Sequence, residues 1–149
     1  MAPVPGTAPG GGDDALAELV EAARAVRARA YAPYSGFAVG AAVRDESGRI
    51  HAGANVENAA YPEGLCAEAS AIAQMVAAGG RRIAAVAVVS GGRTPATPCG
   101  GCRQKIREFA CPGTPVVVAD MDAERARYTL SQLLPHDFGP DHLGRQDLA

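Results

Sequence analysis

No stretch of this 149-residue chain approaches about 18 consecutive apolar residues, so nothing in it reads as a transmembrane helix. There is no excess of positive charge either. Fourteen Lys and Arg stand against 16 Asp and Glu, a formal charge of −2, and that balance disfavours a polynucleotide partner, whose phosphates need a basic surface. The Pro/Gly/Ala-rich start, Met1 to Gly12, lacks the basic opening and apolar centre of a secretory signal and reads as a flexible tail over residues 1–12. With only four cysteines, three better explained as metal thiolates than as disulfides, the expected compartment is the reducing cytoplasm. No internal repeat is present.

What remains is a globular chain, 48% hydrophobic and 20% charged, long enough for one domain over residues 13–149 with a real core. Asp13 and Asp14 are placed to cap a helix running to about Ala30, with Leu16, Leu19, Val20, Ala23, Val26 and Ala30 on one face. Phe37 to Arg44 and Arg49 to Asn55 read as strands joined by a turn at Asp45-Glu46-Ser47-Gly48. A helix is expected from near Cys66 to Gly79-Gly80, where Arg81-Arg82 complement its dipole. Apolar runs at Ala84–Ser90 and Pro115–Ala119 have the pattern of strands covered on both faces. Between them lies a helix from Cys99 to Ala110 with Pro98 in its first turn. Arg125 to Leu134 reads as a strand followed by a short turn of helix. The expected class is α/β, a sheet with helices on both faces.

The chemistry concentrates in Cys66-Ala67-Glu68 and Pro98-Cys99-Gly100-Gly101-Cys102. Three thiols fit a zinc ion that keeps a fourth position open for water, as catalytic zinc sites do. Glu68, two residues past Cys66 on a helix, points away from the shared metal and is free to move protons beside it. Cys66 and Cys99 both fall at helix N-termini, where free amides and partial positive charge favour thiolates. A structural site closed by Cys111 is disfavoured, because a helix from Cys99 to Ala110, roughly 16 Å long, would carry Cys111 well away from its first turn. Cys111 reads instead as a packed free thiol. His51, His136 and His142 lack partner spacing and read as core or solvated residues.

With these residues in hand, the chain resembles the cytidine deaminase family. The match runs from about Ala30 to Leu143 through Tyr34-Ser35-Gly36-Phe37-Ala38-Val39-Gly40-Ala41-Ala42, Gly53-Ala54-Asn55-Val56-Glu57-Asn58-Ala59, the two cysteine motifs with Arg103-Gln104, and Leu133-Leu134-Pro135-His136-Asp137-Phe138-Gly139-Pro140. The resemblance implies a three-layer α/β/α fold with a central mixed sheet of about five strands. It implies one Zn²⁺ per chain on Cys66, Cys99 and Cys102, and proton transfer by Glu68. It further implies that Asn55 and Glu57 bind the ribose hydroxyls, Phe37 packs on the nucleoside, and the Ala67 backbone reads the pyrimidine edge. Phe138 would reach a neighbouring subunit's base in a homotetramer. The implied reaction is hydrolytic deamination of cytidine and 2′-deoxycytidine in pyrimidine salvage, with a small nucleoside as the partner and neither nucleic acid nor membrane.

One position departs from the pattern. Many members carry arginine after the Cys-Ala-Glu triplet, whereas this chain has Ala69, so Arg103 is expected to carry more of the charge compensation. Two other readings stand beside the main one. The enzyme could take a modified cytosine nucleoside such as blasticidin S, or the chain could be a non-catalytic zinc-stabilised interaction domain, which would have no requirement for Glu68.

Overall fold

The computed structural model describes residues 12–92 and 94–145. Helix α1 (Asp13–Arg27) is followed by strands β1 (Val39–Asp45) and β2 (Ile50–Ala54), helix α2 (Ala67–Ala77), strand β3 (Ile83–Ser90) and helix α3 (Gly100–Arg107). Strands β4 (Pro115–Ala119) and β5 (Glu124–Thr129) and the short helix α4 (Leu130–Leu133) complete the chain's regular structure, with single 3₁₀ turns at Tyr61–Glu63 and Pro140–Leu143. The five strands form one mixed sheet in the order β2-β1-β3-β4-β5. Only β3 and β4 are parallel, joined through α3 as a parallel pair requires; the other neighbours are antiparallel.

Alternation along the strands divides the core in two. Ala42, Ala85, Ala87, Val89 and Val117 meet Leu16, Leu19, Val20 and Ala23 of α1 on one face. Ala41, Val43, Val86, Val88 and Val116 meet Ala71, Ile72 and Met75 of α2 and Ile106 of α3 on the other. The layered α/β/α expectation therefore holds, with one helix on one face and α2 and α3 on the other.

The differences from the sequence expectation lie at element ends. Gly12 is the N-cap of α1, with Asp13 and Asp14 inside the first turn, where they complement the helix dipole without capping it. The helix stops at Arg27, short of Ala30, because the backbone of Tyr31 is recruited elsewhere. Its N–H donates to Asn55 O at 3.0 Å and its carbonyl accepts from Glu57 N at 2.8 Å. Pro98 precedes the cap of α3, since Cys99 is the N-cap, and α3 ends at Arg107. Ala110 beyond it bridges to Ile83 and is buried, which leaves Cys111 exposed rather than packed. Arg81 caps α2 as expected, donating to Val76 O at 3.0 Å. The expected tail at residues 1–12 lies outside the described residues except for Gly12.

Close helix approach is what places the site. Ser70 and Gln74 of α2 donate to the carbonyls of Ala54 and Ala52 on the edge strand β2, at 3.0 and 2.7 Å. That contact needs Gly53, where an added Cβ would sit 2.4 Å from the Ala71 backbone nitrogen. Neither backbone yields, so Gly53→Val is expected to cost roughly 2–3 kcal/mol through overpacking. A melting temperature lowered by roughly 5–10 °C in a thermal scan checks this.

Candidate metal centre and substrate cavity

Cys66 is the N-cap residue of α2 and Cys99 that of α3, and the two helix starts converge beyond the end of β3. Cys102, one turn into α3, is fully buried. The three Sγ atoms lie within 4.8 Å of one another, and Cys66 Sγ is 3.9 Å from Cys99 Sγ. Tetrahedral zinc with sulfur at about 2.3 Å sets its sulfurs about 3.8 Å apart, so the donor set fits such an ion with only a slight contraction. Among the described residues these thiols form the one cluster of this kind, without a fourth donor to close the tetrahedron.

Glu68, 5% exposed, sits beside the cluster and its Oε2 lies 3.4 Å from Cys102 Sγ. Burial pushes the Cys66 thiol above its ordinary range, aided by the charges of Cys99 and Glu68. Burial drives Cys102 far higher, with Glu68 and Cys66 adding to it. Cys99 is also raised by burial, but hydrogen bonds from the Cys102 backbone and from the Cys102 and Cys66 thiols outweigh this and leave it lowered. Such a crowd of potential anions calls for a cation, and a bound dication would stabilise all of them as thiolates.

Next to the cluster opens a cavity of about 230 Å³. Glu68, Asn55 and Thr97 give it polar groups, Phe37, Val39, Val88 and Ala96 an apolar wall, and Cys66, Ala67 and Cys99 its floor. The volume lies below the roughly 300–1,000 Å³ of drug-sized sites and suits a single small ring system. The first N–H groups of α2, starting at Ala67, have no partner within the helix and are available to a ligand.

The remaining sequence candidates are distributed differently. Asn55 is on the cavity, but its amide is already engaged: Nδ2 donates to Phe37 O at 2.9 Å and Oδ1 accepts from Val39 N at 2.8 Å. Glu57 lines a neighbouring concavity of about 420 Å³ with Tyr34, Ser35 and Tyr61. Its carboxylate accepts from Tyr34 N at 2.8 Å, Ser35 N at 3.2 Å and the Ser35 hydroxyl, and the last of these is the main reason its carboxyl is held below the usual range. Phe138 is 57% exposed, stacks on His142 with ring centroids 5.0 Å apart, and is absent from the cavity wall of its own chain. His51 bonds Asp45 at 2.7 Å in the β1–β2 hairpin, and none of the three histidines joins the thiol cluster. Ala96 and Thr97 escaped the sequence reading; their signal was adjacency to Pro98-Cys99.

Arg103 braces the cluster from behind. Its guanidinium donates to Pro98 O at 2.7 Å, Thr97 Oγ1 at 2.8 Å and Leu133 O at 2.6 Å, tying the approach to Cys99 onto α4. Among the described residues it forms no ion pair with a carboxylate.

Comparison with known proteins agrees with this geometry. Residues 14–119 match the family described as the cytidine and deoxycytidylate deaminase zinc-binding region. The cytidine deaminase of Sporosarcina psychrophila is 40% identical over 85% of this chain and 93% of its own length. That of Mycobacterium tuberculosis (strain H37Rv) is 42% identical over 80% of this chain and 86% of its own. Among solved structures, cytidine deaminase from Burkholderia pseudomallei superposes with a TM-score of 0.78 at 44% identity, covering 82% of this chain and 98% of that one.

Arg103→Ala removes the charge and all of these hydrogen bonds. It is expected to destabilise the fold by roughly 2–3 kcal/mol, seen as a lower denaturation midpoint, while Arg103→Lys recovers only part because an ammonium cannot reproduce the fork.

Proposed function

The chain belongs to the cytidine and deoxycytidylate deaminase family, and from that premise we propose that it converts cytidine and 2′-deoxycytidine hydrolytically to uridine and 2′-deoxyuridine, releasing ammonia. The observation that carries this reading is the buried Glu68 carboxylate standing against a three-thiol cluster on the wall of a cavity sized for one small ring system.

Cys66, Cys99 and Cys102 would hold one zinc ion, which when bound supplies Lewis-acid activation of water at neutral pH. Glu68 is the proton carrier. Its carboxylate accepts a proton from the attacking water and delivers it to N3 of the cytosine ring as C4 gains oxygen. It then passes the water's second proton to the departing amine, so that the oxygen remains as the C4 carbonyl and nitrogen leaves as ammonia. Positioned acid–base catalysis of this kind contributes about 10²–10⁴-fold. The free N–H groups at the start of α2, Ala67 first, supply donors for the pyrimidine edge.

Asn55 and Glu57 recognise the ribose. Each keeps capacity for this despite its internal bonds. An amide has two N–H donors and two acceptor lone pairs, of which Asn55 uses one each. A carboxylate has about four acceptor sites, of which Glu57 uses three. Phe37 packs on the nucleoside, and Arg103 offsets thiolate charge in a chain that has Ala69 at the adjoining position.

The enzyme works as a single domain over residues 13–149, in the cytoplasm, in the salvage of pyrimidine nucleosides. Among the described residues no helix is long and apolar enough to cross a membrane. It assembles as a homotetramer in which Phe138 reaches the neighbouring copy's base. Support for assembly comes from Tyr31, Tyr34, Tyr61, Phe138 and Leu143, all more than half exposed on this chain.

Loss of the cytidine absorbance band with stoichiometric ammonia tests the reaction. Glu68→Gln is expected to retain zinc and fold while losing at least about 10³-fold in kcat; substantial remaining turnover would remove Glu68 from its role. Cys102→Ala is expected to hold well under one zinc per chain by metal analysis, because its sulfur is the buried member of the set.

A further inference from the structure

The segment between α1 and β1 carries Phe37 to the cavity without regular structure of its own, and side chains hold it in place. Gly36 turns the chain in the left-handed region, φ +68°, and its N–H closes on Ala32 O at 3.0 Å. That turn sets Ser35 between two groups assigned to the substrate. The Ser35 hydroxyl donates to a Glu57 oxygen and accepts from the Phe37 N–H at 3.0 Å. The other Glu57 oxygen accepts from the Tyr34 and Ser35 amides, and Asn55 grips Phe37 O and Val39 N from the far side.

We propose that Ser35 is a positioning residue for ribose recognition, its hydroxyl locking the Glu57 carboxylate to the Phe37 backbone so that both meet the nucleoside as one preformed unit. The inference rests on the reading that Glu57 and Phe37 contact the nucleoside. Glu57 is only half-buried, and the Tyr34 and Ser35 amides both hold the same one of its oxygens, leaving the other to the Ser35 hydroxyl. Without the hydroxyl, the carboxylate swings about its amide-held oxygen, and ordering the second oxygen opposes each binding event. A hydroxyl that spends its donor on the carboxylate and its lone pair on Phe37 N removes that cost before the ligand arrives. One carboxylate site then remains for a sugar hydroxyl, in an orientation set by Ser35.

The Asn55 amide still holds the Phe37 carbonyl when the Ser35 hydroxyl is gone, so the consequence falls on substrates that carry the sugar hydroxyls. For Ser35→Ala with zinc loaded, KM for cytidine is expected to rise about 5–20-fold, the effect of losing one charge-assisted hydrogen bond, with kcat within about twofold of wild type. The inhibition constant of 2′,3′-dideoxycytidine, read as a competitor against cytidine and therefore needing no turnover, should be the same for both proteins. Ser35→Thr, which restores the hydroxyl, should return KM most of the way. An equal loss toward cytidine and the dideoxy competitor would make Ser35 a plain turn residue and overturn the proposal, as would an unchanged KM or a fall in kcat alone. Wild-type protein that holds zinc yet leaves cytidine intact would overturn the functional reading itself, and the positioning role with it. Active wild type with an indifferent Ser35→Ala would overturn the positioning role alone.

Discussion

The structure depends on the convergence of two helix starts. α2 and α3 must begin within a few ångströms of each other for the sulfurs of Cys66, Cys99 and Cys102 to share one ion, and that meeting point lies at the margin of an apolar core. Helix N-termini are among the few places in such a core where negative sulfur is tolerated, because the unpaired amides and the dipole both favour it. Placing the first two cysteines at the caps and the third one turn into α3 satisfies the metal without diverting any side chain from core packing. Glu68 follows from the same placement. Two positions past the cap it falls on the buried side of α2, beside Cys102 and along the cavity wall.

Small residues make that convergence reachable. Ala41, Ala42, Ala85 and Ala87 present a low surface to the helices on both sides of the sheet. Where contact is closest the residue is glycine: a Cβ on Gly40 would meet Ala23 O at 2.0 Å, and one on Gly53 would meet Ala71 N at 2.4 Å. Larger side chains would lift α2 off β2 and carry Cys66 away from Cys99, so fine packing on the sheet is the positional control of the metal site. The β2 edge gains from the same contact, because Ser70 and Gln74 satisfy its carbonyls where an open edge would otherwise invite pairing.

The parts legible in the sequence were those governed by local rules. Two cysteine motifs and the residues ahead of them located both helix starts, and unbroken apolar runs located β3 and β4. The layered class followed from element order. What escaped depends on contacts between distant segments. Nothing local says that Tyr31 will leave α1 to pair with Asn55 and Glu57, which is why the helix ends at Arg27. Cys111 looked packed until Ala110 took the buried place beside Ile83. Alternation put Asn55 and Glu57 on one face but could not show that both already bind the Tyr34–Val39 segment, nor that they line two neighbouring concavities. Those bonds appear only once the loop is folded against the end of β2.

The alanine at position 69 bears on how this chain manages charge. A zinc ion with three thiolates carries a net −1, and Glu68 beside it adds another negative group, so some positive potential must come from the protein. Arg103 directly follows Cys102 in the chain, and its bonding leaves its charge uncancelled. Because its partners are two carbonyls and a hydroxyl rather than carboxylates, its hydrogen bonds fix the guanidinium without cancelling its charge. A guanidinium paired to Asp or Glu, as Arg107 is to Asp137 and Asp141, would present little net field to the metal. The same bonds reach Pro98 and Thr97 immediately ahead of Cys99, so loosening Arg103 would disturb the geometry of that ligand. In this chain, with alanine after Glu68, the bonds to Thr97 and Pro98 make Arg103 part of the framework that holds Cys99.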